Sequence, residues 1–438
     1  MALSVLTAWD VRPGVGSDSN GGGFHTGASG TDFSQQNAAQ YTFSDLASVS
    51  ALVVSSASHN FVAADVGNIM QITAGTGFTT GWYEIVSVGA NQATLDRSPG
   101  TVGVGGTYAV GGALATISQA ITAKVQGNDI WVKASGSYTV TVTQNLVAGD
   151  GGTGNNLTRF IGYTTTRGDN GKVTWTTATN SIALITFAQA NNFLFQNFIF
   201  SSTAGTRGNG FTAGTTQIDG NLQLVNCVFD GFNIALNGPF VGTYCWAPLV
   251  MIGCEVKNCI AQGILNGYNV VMEGCFIHDN AGDGLATANT GDAQQSMSIS
   301  RTVFYKNGGK GIQDNSGAGN NNFLFMENVA FVQNTSDGWS QNNGAATCNI
   351  VINCIFDQNG GFGFSVGSWK AVYQRNNAFF SNASGKYSGG GPVPAGEVVL
   401  TGSPFTNPAT GDFSLNNTAG AGAACKAAAY PGAIPGGA

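Results

Sequence analysis

Apolar and polar residues alternate in a segment that recurs through the second half of the chain. In one copy Leu222 and Leu224 alternate with polar neighbours, and Cys227 and Phe229 resume the alternation. Alternation with period two predicts strands rather than helices. Copies recur about every 21 to 29 residues, a period typical of solenoids. The equivalent positions are Asn197, Asn226, Gly253, Gly274, Arg301, Asn328, Asn353 and Asn376.

Two further columns of residues align between the copies and predict a stacked interior. Asparagine tolerates left-handed turns, and stacked amides can hydrogen-bond from coil to coil. Small residues at a second column predict a packed core. The asparagines are Asn280, Asn307, Asn334, Asn359 and Asn382, and the small column holds Cys227, Cys254, Cys275 and Cys354, with Thr302 and Val329 between.

This repeat resembles the right-handed parallel β-helix of the pectate-lyase-like superfamily. The resemblance implies an all-β chain whose solenoid spans residues 111–400. It indicates the fold and not the function, because the same fold supports lyases, hydrolases, epimerases, adhesins and phage spikes.

Two separated stretches resemble the N-terminal motif of many β-helix proteins. The first, WDVRPGVGSDSNGGGF, lies in an N-terminal segment, residues 1–31, and the second begins at Gly111. In the second, Thr116 and Gln119 form a candidate capping box, and Gly127 ends the helical pattern. We predict an amphipathic helix that caps the open end of the solenoid.

The remaining segments predict an insertion and a tail. Residues 32–110 contain short alternating stretches joined by Gly/Asn turns, which predict a small β-subdomain. This insertion resembles segments of predicted virion proteins of tailed phages. Residues 401–438 begin with a phrase that resembles the closing tail of β-helix proteins, at Phe405–Leu415, and end in Ala, Gly and Pro. We predict an extended tail there.

The chain has few charged residues, and its charge and hydropathy argue against several classes of function. Only 9% of the 438 residues are charged, with a net charge of −7 and no Lys/Arg cluster, which argues against nucleic acid. No apolar run is long enough to span a membrane. The N-terminus lacks the features of a signal peptide, so we expect synthesis in a host cytoplasm.

Cysteine and histidine do not predict a metal site. The three histidines, His25, His59 and His278, are far apart, and no CxxC pattern occurs. Cys254 and Cys275 fall on adjacent coils, within disulfide range, but reduced thiols in the core fit a chain made in the cytosol. Cofactors are therefore not expected, although calcium remains possible if the protein is a lyase.

Two carboxylates give the main catalytic candidate. Glu273 and Glu327 fall at equivalent positions two coils apart, and Arg301 lies between them. They are either an acid/base pair with a cationic subsite or a surface ion cluster in which Arg301 neutralises both acids.

Other polar rows have simpler interpretations. The row Asp283, Lys310 and Asp337 predicts a solvated ladder of alternating charge. A further row faces outward and predicts a mixed surface: His278, Tyr305, Val332 and Asp357.

Aromatic side chains are the candidates for glycan binding. Trp246 lies in a long excursion between coils, Trp369 and Tyr373 lie near a coil edge, and Tyr305 belongs to the outward row. The alternative is that these rings are structural and hold inserted loops against the solenoid by packing on it.

These observations favour a surface or structural protein of a phage virion: a spike, fibre or capsid decoration. We expect a homotrimer that contacts other virion proteins and binds polysaccharide. The alternative is a polysaccharide lyase or glycoside hydrolase, although the sets N-T-D, D-D, G-H-G and R-I-K of polygalacturonases are absent. A third hypothesis is an extracellular bacterial adhesin. Whether the protein is an enzyme stays open.

Overall fold

The computed structural model describes residues 3–153, 156–188, 190–213, 221–238, 249–266, 269–287, 296–315, 323–341, 348–366, 372–388 and 396–428. The chain divides into two compact units, which are taken in turn. The first comprises residues 1–139, 149–175 and 192–198, and the second comprises residues 140–148, 176–191 and 199–438.

The first unit brings the two halves of the N-terminal motif together. Thr7–Val11 pairs in parallel with Asp129–Lys133 and antiparallel with Gly23–His25. Trp9 is fully buried, and its indole nitrogen donates to Asn128 at 3.1 Å. Two strands extend this sheet in parallel beyond Asp129–Lys133: Thr158–Tyr163 and Phe193–Gln196.

The predicted helix is present at Ile117–Ala123, with Thr116 as its N-cap. The Thr116 hydroxyl accepts a hydrogen bond from the backbone N–H of Gln119 at 3.1 Å. The Thr116 backbone N–H, however, donates to the Asp18 carboxylate at 2.9 Å, and the Gln119 side chain turns to the Asp18 carbonyl. Asp18 thus takes the role that the capping box assigned to Gln119.

The insertion is a closed antiparallel barrel. Its strands run between Tyr41 and Val110 and enclose a core that includes Met70, Ile85 and Tyr108. A short 3₁₀ turn, Ala63–Asp65, precedes one strand. In barrel order the strands are Tyr41–Ser48, Val53–Ser55, Gln92–Leu95, Gly81–Gly89, Ile69–Thr76 and Val104–Val110.

The second unit confirms the predicted parallel β-helix. Its coils contribute strands to three parallel sheets, which we call sheets A, B and C. Sheet A contains Leu222–Val225, Leu249–Ile252, Val270–Glu273, Ser296–Ser300, Phe323–Glu327, Cys348–Ile352 and Val372–Arg375. Sheet B contains Val228–Asp230, Glu255–Lys257, Phe276–His278, Val303–Tyr305, Ala330–Val332, Ile355–Asp357, Ala378–Phe380 and Val398–Val399. Sheet C contains Gln144–Val147, Ile185–Ala188, Phe211–Ala213, Leu236–Asn237, Ile264–Asn266, Leu285–Thr287, Ile312–Asp314, Trp339–Gln341, Phe362–Val366 and Gly385–Tyr387. Three further strands contain residues of both units: Tyr138–Val140, Val173–Thr177 and Phe198–Ser202.

Two residues connect each strand of sheet A to the following strand of sheet B, and the first of them has a positive φ in each described coil of the second unit. This explains the recurring Asn and Gly, which tolerate the left-handed conformation best. Arg301 is the exception, with a φ of 48°. The members in the second unit are Asn226, Gly253, Gly274, Arg301, Asn328, Asn353 and Asn376.

The interior contains the predicted columns. Each asparagine amide donates to the next asparagine at 2.8–3.0 Å, from Asn280 through Asn307, Asn334 and Asn359 to Asn382. Beside them the rings of Phe304, Phe331, Phe356 and Phe379 stack at 5.0–5.3 Å between centroids. The described cysteines form no disulfide, and those of the small column are buried.

The end of the chain differs from the predicted extended tail. Phe405–Asn407 and Asp412–Leu415 form a hairpin around a 3₁₀ turn, Pro408–Thr410, and a helix follows at Gly422–Ala427. This C-terminal segment, residues 405–428, packs on the outward face of sheet B. The alternating apolar side chains of its hairpin are buried against that face. Its buried members are Phe405, Phe413, Leu415 and Cys425. Residues 429–438 lie outside the described residues.

In the described ranges, no helix has the length and apolar character needed to cross a membrane.

Candidate functional site

The outward face of sheet B gathers charge where the C-terminal segment does not cover it. Asp230, Glu255, Lys257 and His278 point outward from three successive strands, and Asp279 follows at the next turn. In a chain with only 9% charged residues, this concentration marks the candidate site. We call these five residues the charged cluster.

Glu255 is the centre of the charged cluster. Its Oε1 accepts hydrogen bonds from Lys257 Nζ at 2.8 Å and His278 Nε2 at 3.0 Å. Burial opposes ionisation, but these hydrogen bonds and the Lys257 charge outweigh it and lower the pKa of Glu255 to about 2. Glu255 is therefore a carboxylate at any physiological pH.

His278 connects two carboxylates. Its Nδ1 lies 2.7 Å from Asp279 Oδ2, while its Nε2 faces Glu255. Both ring nitrogens can donate at once only in the doubly protonated imidazolium. The ring also stacks on Phe276, with 3.9 Å between centroids, which fixes its orientation.

An open cleft of about 720 Å³ lies next to the cluster. Its lining includes Ser201, Arg207, Asp230, Asn258 and Asp279, which belong to four successive coils. Arg207 donates to the Asn258 carbonyl at 2.8 Å, and the Asn258 amide donates to Asp230 at 2.8 Å. The cleft therefore presents both donors and acceptors along the solenoid.

The predicted carboxylate pair lies elsewhere, on the outward face of sheet A. The register places Glu273, Ser300 and Glu327 in one column, as predicted. Arg301 forms an ion pair with Glu273, whereas Glu327 makes none within the described ranges. The side chains of Arg301 and Glu273 are 53% and 42% exposed, so water screens their charges.

The aromatic candidates divide into three groups. Tyr305 is only 4% exposed, because Phe276 and Phe413 pack against its ring, so it is not the surface residue that the sequence suggested. Tyr373 is 55% exposed on sheet A. Trp246 and Trp369 lie outside the described residues.

The two other polar rows are more than solvated surface, because several of their side chains make hydrogen bonds or are buried. Asp283 and Asp337 accept backbone N–H groups of the next coil at 2.7 Å, so they fasten coils together. Lys310 between them donates to Ser340 at 3.1 Å. At the end of the outward row, Asp357 is buried beside Ser403.

The sequence interpretation missed most of the charged cluster and the cleft. Lys257 and Asp230 pair in register with His278, so they belong to the same outward row. Extending that row toward the N-terminus would have revealed them. Arg207 lies on the turn between Phe198–Ser202 and Phe211–Ala213, away from the aligned strands, and no sequence signal predicts its position.

Within the described part of the chain, no three His, Cys, Asp or Glu side chains come together so as to hold a metal ion.

No family model matches this chain, and no curated protein does. Among solved structures it is similar to pectate lyase Pel9A, with 18% identity over 68% of this chain and 79% of that chain, at a TM-score of 0.48. It is similar to the A-module of mannuronan C-5 epimerase AlgE6 of Azotobacter vinelandii, with 13% identity over 63% and 91% and a TM-score of 0.36. It is similar to tailspike protein 3 of bacteriophage CBA120, with 12% identity over 63% and 57% and a TM-score of 0.24. Likenesses at this level do not extend to individual side chains.

Proposed function

We propose that this protein binds polysaccharide in the cleft beside the charged cluster. The observation that supports the proposal is the row of donors and acceptors formed by Arg207, Asn258, Asp230 and Asp279. Sugar hydroxyls need both kinds of partner. Because coils stack about 4.8 Å apart, a linear polymer lying along the solenoid would meet comparable groups at regular intervals.

The cluster supports binding better than hydrolysis. A glycosidase needs a carboxylic acid whose pKa is raised, so that it can protonate the leaving group. The pKa of Glu255 is lowered instead, to about 2, so Glu255 holds no proton to donate.

Cleavage by a lyase or hydrolase is the second candidate, and the column of Glu273 and Glu327 favours it. Two coils separate their backbones by about 10 Å. Inverting glycosidases hold their carboxyl groups roughly 6.5–9.5 Å apart, which the side chains on this column can reach.

The setting that the sequence suggests, the surface of a phage virion, remains a prediction, as does the homotrimer. A solenoid flank with an open cleft would suit a spike or fibre that contacts glycans of a host or its surroundings. The alternative of an extracellular adhesin would use the same cleft.

Binding to a panel of acidic and neutral polysaccharides, followed by affinity electrophoresis of the full chain, tests the proposal. We expect Arg207→Gln to weaken binding at least about tenfold, since hydrogen bonds from a charged donor contribute about 1.5–3 kcal/mol. Arg159→Gln, which changes an exposed arginine of the first unit, is the matched control. The proposal is wrong if no polysaccharide binds or if both variants bind equally.

The same panel separates binding from cleavage. New reducing ends or unsaturated uronates would favour the second candidate. Glu273→Gln and Glu327→Gln would then abolish cleavage if that column carries the chemistry.

A further inference from the structure

The outward face of sheet A carries apolar side chains that no described part of the chain covers. Phe323 is 43% exposed and Tyr373 is 55% exposed. Contiguous exposed apolar surface is uncommon and marks interaction sites. We call this set the apolar strip: Phe323, Phe325, Cys348, Ile350, Ile352 and Tyr373.

Two opposite charges flank the apolar strip symmetrically. Glu327 pairs in register with Ile352, and Ile352 pairs with Arg375. The two charged residues are therefore one coil on either side of Ile352, about 10 Å apart along the sheet. In the described part of the chain, neither makes an ion pair.

We propose that the apolar strip is a self-association surface, in which a two-fold axis runs along the strand Cys348–Ile352. Such a rotation reverses the order of the coils and keeps each residue at its position along the strand. It places Glu327 opposite the partner's Arg375, and Arg375 opposite the partner's Glu327. Contacts of this isologous kind are self-complementary.

The same rotation matches the apolar side chains. Phe325 faces the partner's Tyr373, because Ile350 lies between them in register. Ile350 and Ile352 each face their own counterparts on the axis. Among the residues that the register places two coils apart or on the axis, each apolar side chain thus meets an apolar one and each charge meets an opposite charge: Phe325, Tyr373, Ile350, Ile352, Glu327 and Arg375.

The contact is small and builds a dimer, which is an alternative to the homotrimer expected from the sequence. It overlaps three strands of four or five residues, Phe323–Glu327, Cys348–Ile352 and Val372–Arg375. Stable interfaces bury roughly 800 Å² per partner, so we expect weak association. A two-fold contact closes with two copies.

Cys348 provides a direct test of the axis. It is the exposed cysteine among those described, and the axis brings it to its own counterpart. Mild oxidation with diamide, which accepts the two electrons and two protons that the thiols give up, would join the copies through one S–S bond. The experiment uses a Cys245→Ser background, because Cys245 lies outside the described residues. Adding Cys348→Ser must abolish the cross-link, and failure of the parent to cross-link contradicts the axis.

Charge reversal tests the paired contacts. Sedimentation of the full chain from about 5 to about 500 µM, a range suited to weak interfaces, should show mass rising from 44.8 kDa toward twice that value. Glu327→Arg and Arg375→Glu should each weaken association at least about tenfold, since like charges then meet. The double variant should restore it, and Lys172→Glu should have no effect.

Three outcomes overturn the proposal: a monomer throughout the range, a trimer, or a double variant that associates no better than the single ones. These outcomes do not depend on polysaccharide binding, because the cleft lies on sheet B.

Discussion

Sheets A and B are built by the same repeat, yet their outward faces differ in what covers them. On sheet B the C-terminal segment buries Phe276, Tyr305 and Val332 against Phe413 and its neighbours. On sheet A the apolar strip stays exposed. Outward apolar residues of a solenoid therefore do not by themselves indicate the core. They indicate a face on which another segment packs. On sheet B that segment is the C-terminal segment of the same chain, and on sheet A, as we propose, it is a second copy of the protein.

Sheet B repeats the contrast along its own length. Its outward row begins with Asp230, Lys257 and His278 and then becomes Tyr305 and Val332. The change from charged to apolar residues coincides with the edge of the C-terminal segment, where Phe413 contacts Phe276 at 5.5 Å between centroids. The cleft and the charged cluster lie where the cover is absent.

The largest expected effect on stability comes from removing Phe413, the central buried side chain of the C-terminal segment. Phe413 is 1% exposed and packs on Phe276 and Tyr305, so Phe413→Ala should destabilise the C-terminal segment by about 3–5 kcal/mol. Phe323→Ala on sheet A removes an exposed ring and should cost less than about 1 kcal/mol. Urea unfolding with limited proteolysis measures both. Equal losses would mean that the two faces do not differ as described.

The sequence predicts the solenoid well because its information is local and repeated. Alternation, the Asn column and the left-handed corner residues recur at a fixed period, so each coil constrains the next. Tyr305 shows where this stops. Its own coil makes it outward-facing, and Phe413, more than a hundred residues later, packs over the ring and helps to bury it. Arg207 reaches the cleft from a turn between two strands of its coil, so alignment of the strands does not place it.

The next largest effect is a pH dependence of stability, which comes from Asp357, buried beside Ser403 at the end of the outward row. Burial raises the pKa of Asp357 to about 6, although hydrogen bonds from Ser403 and Gln358 oppose the shift. A raised pKa means that the folded state binds the proton more tightly, so stability should increase as the pH falls from about 7 through 6, and the gain should be complete near pH 4, the usual pKa of an aspartic acid. The full effect is roughly 3 kcal/mol, from a shift of about two units.

Asp357→Asn should abolish this pH dependence when the free energy of unfolding is measured between pH 4 and pH 8. Ser403→Ala is the complementary variant: it removes a hydrogen bond that favours the carboxylate, so the rise in stability should begin at higher pH. A wild-type curve that stays flat over this range would contradict the assignment.

The uncovered part of sheet B should show the opposite sign. Because the pKa of Glu255 is lowered to about 2, its contribution to stability is present above its usual value and is lost as the pH falls toward 2. His278→Gln removes the ring nitrogen that lies 3.0 Å from Glu255 and should reduce that contribution by about 1 kcal/mol, since the site is only half-buried. Acid unfolding between pH 2 and pH 5 measures the change. Glu273→Gln, which breaks an exposed ion pair on sheet A, should change the curve less.

The smallest effect concerns the corner that sheets A and B share. Arg301 holds a φ of 48°, where its neighbours in the column are Gly274 and Asn328. A left-handed conformation costs most residues about 1 kcal/mol more than it costs Asn or Gly. In a Glu273→Gln background, where the ion pair is already absent, Arg301→Asn should therefore raise the free energy of unfolding by about 0.5–1 kcal/mol.

The reverse change, Asn328→Arg, should lower the stability by a similar amount, since it brings the same strain to the next coil. If both substitutions act in the same direction, backbone conformation is not what selects the residue at this corner.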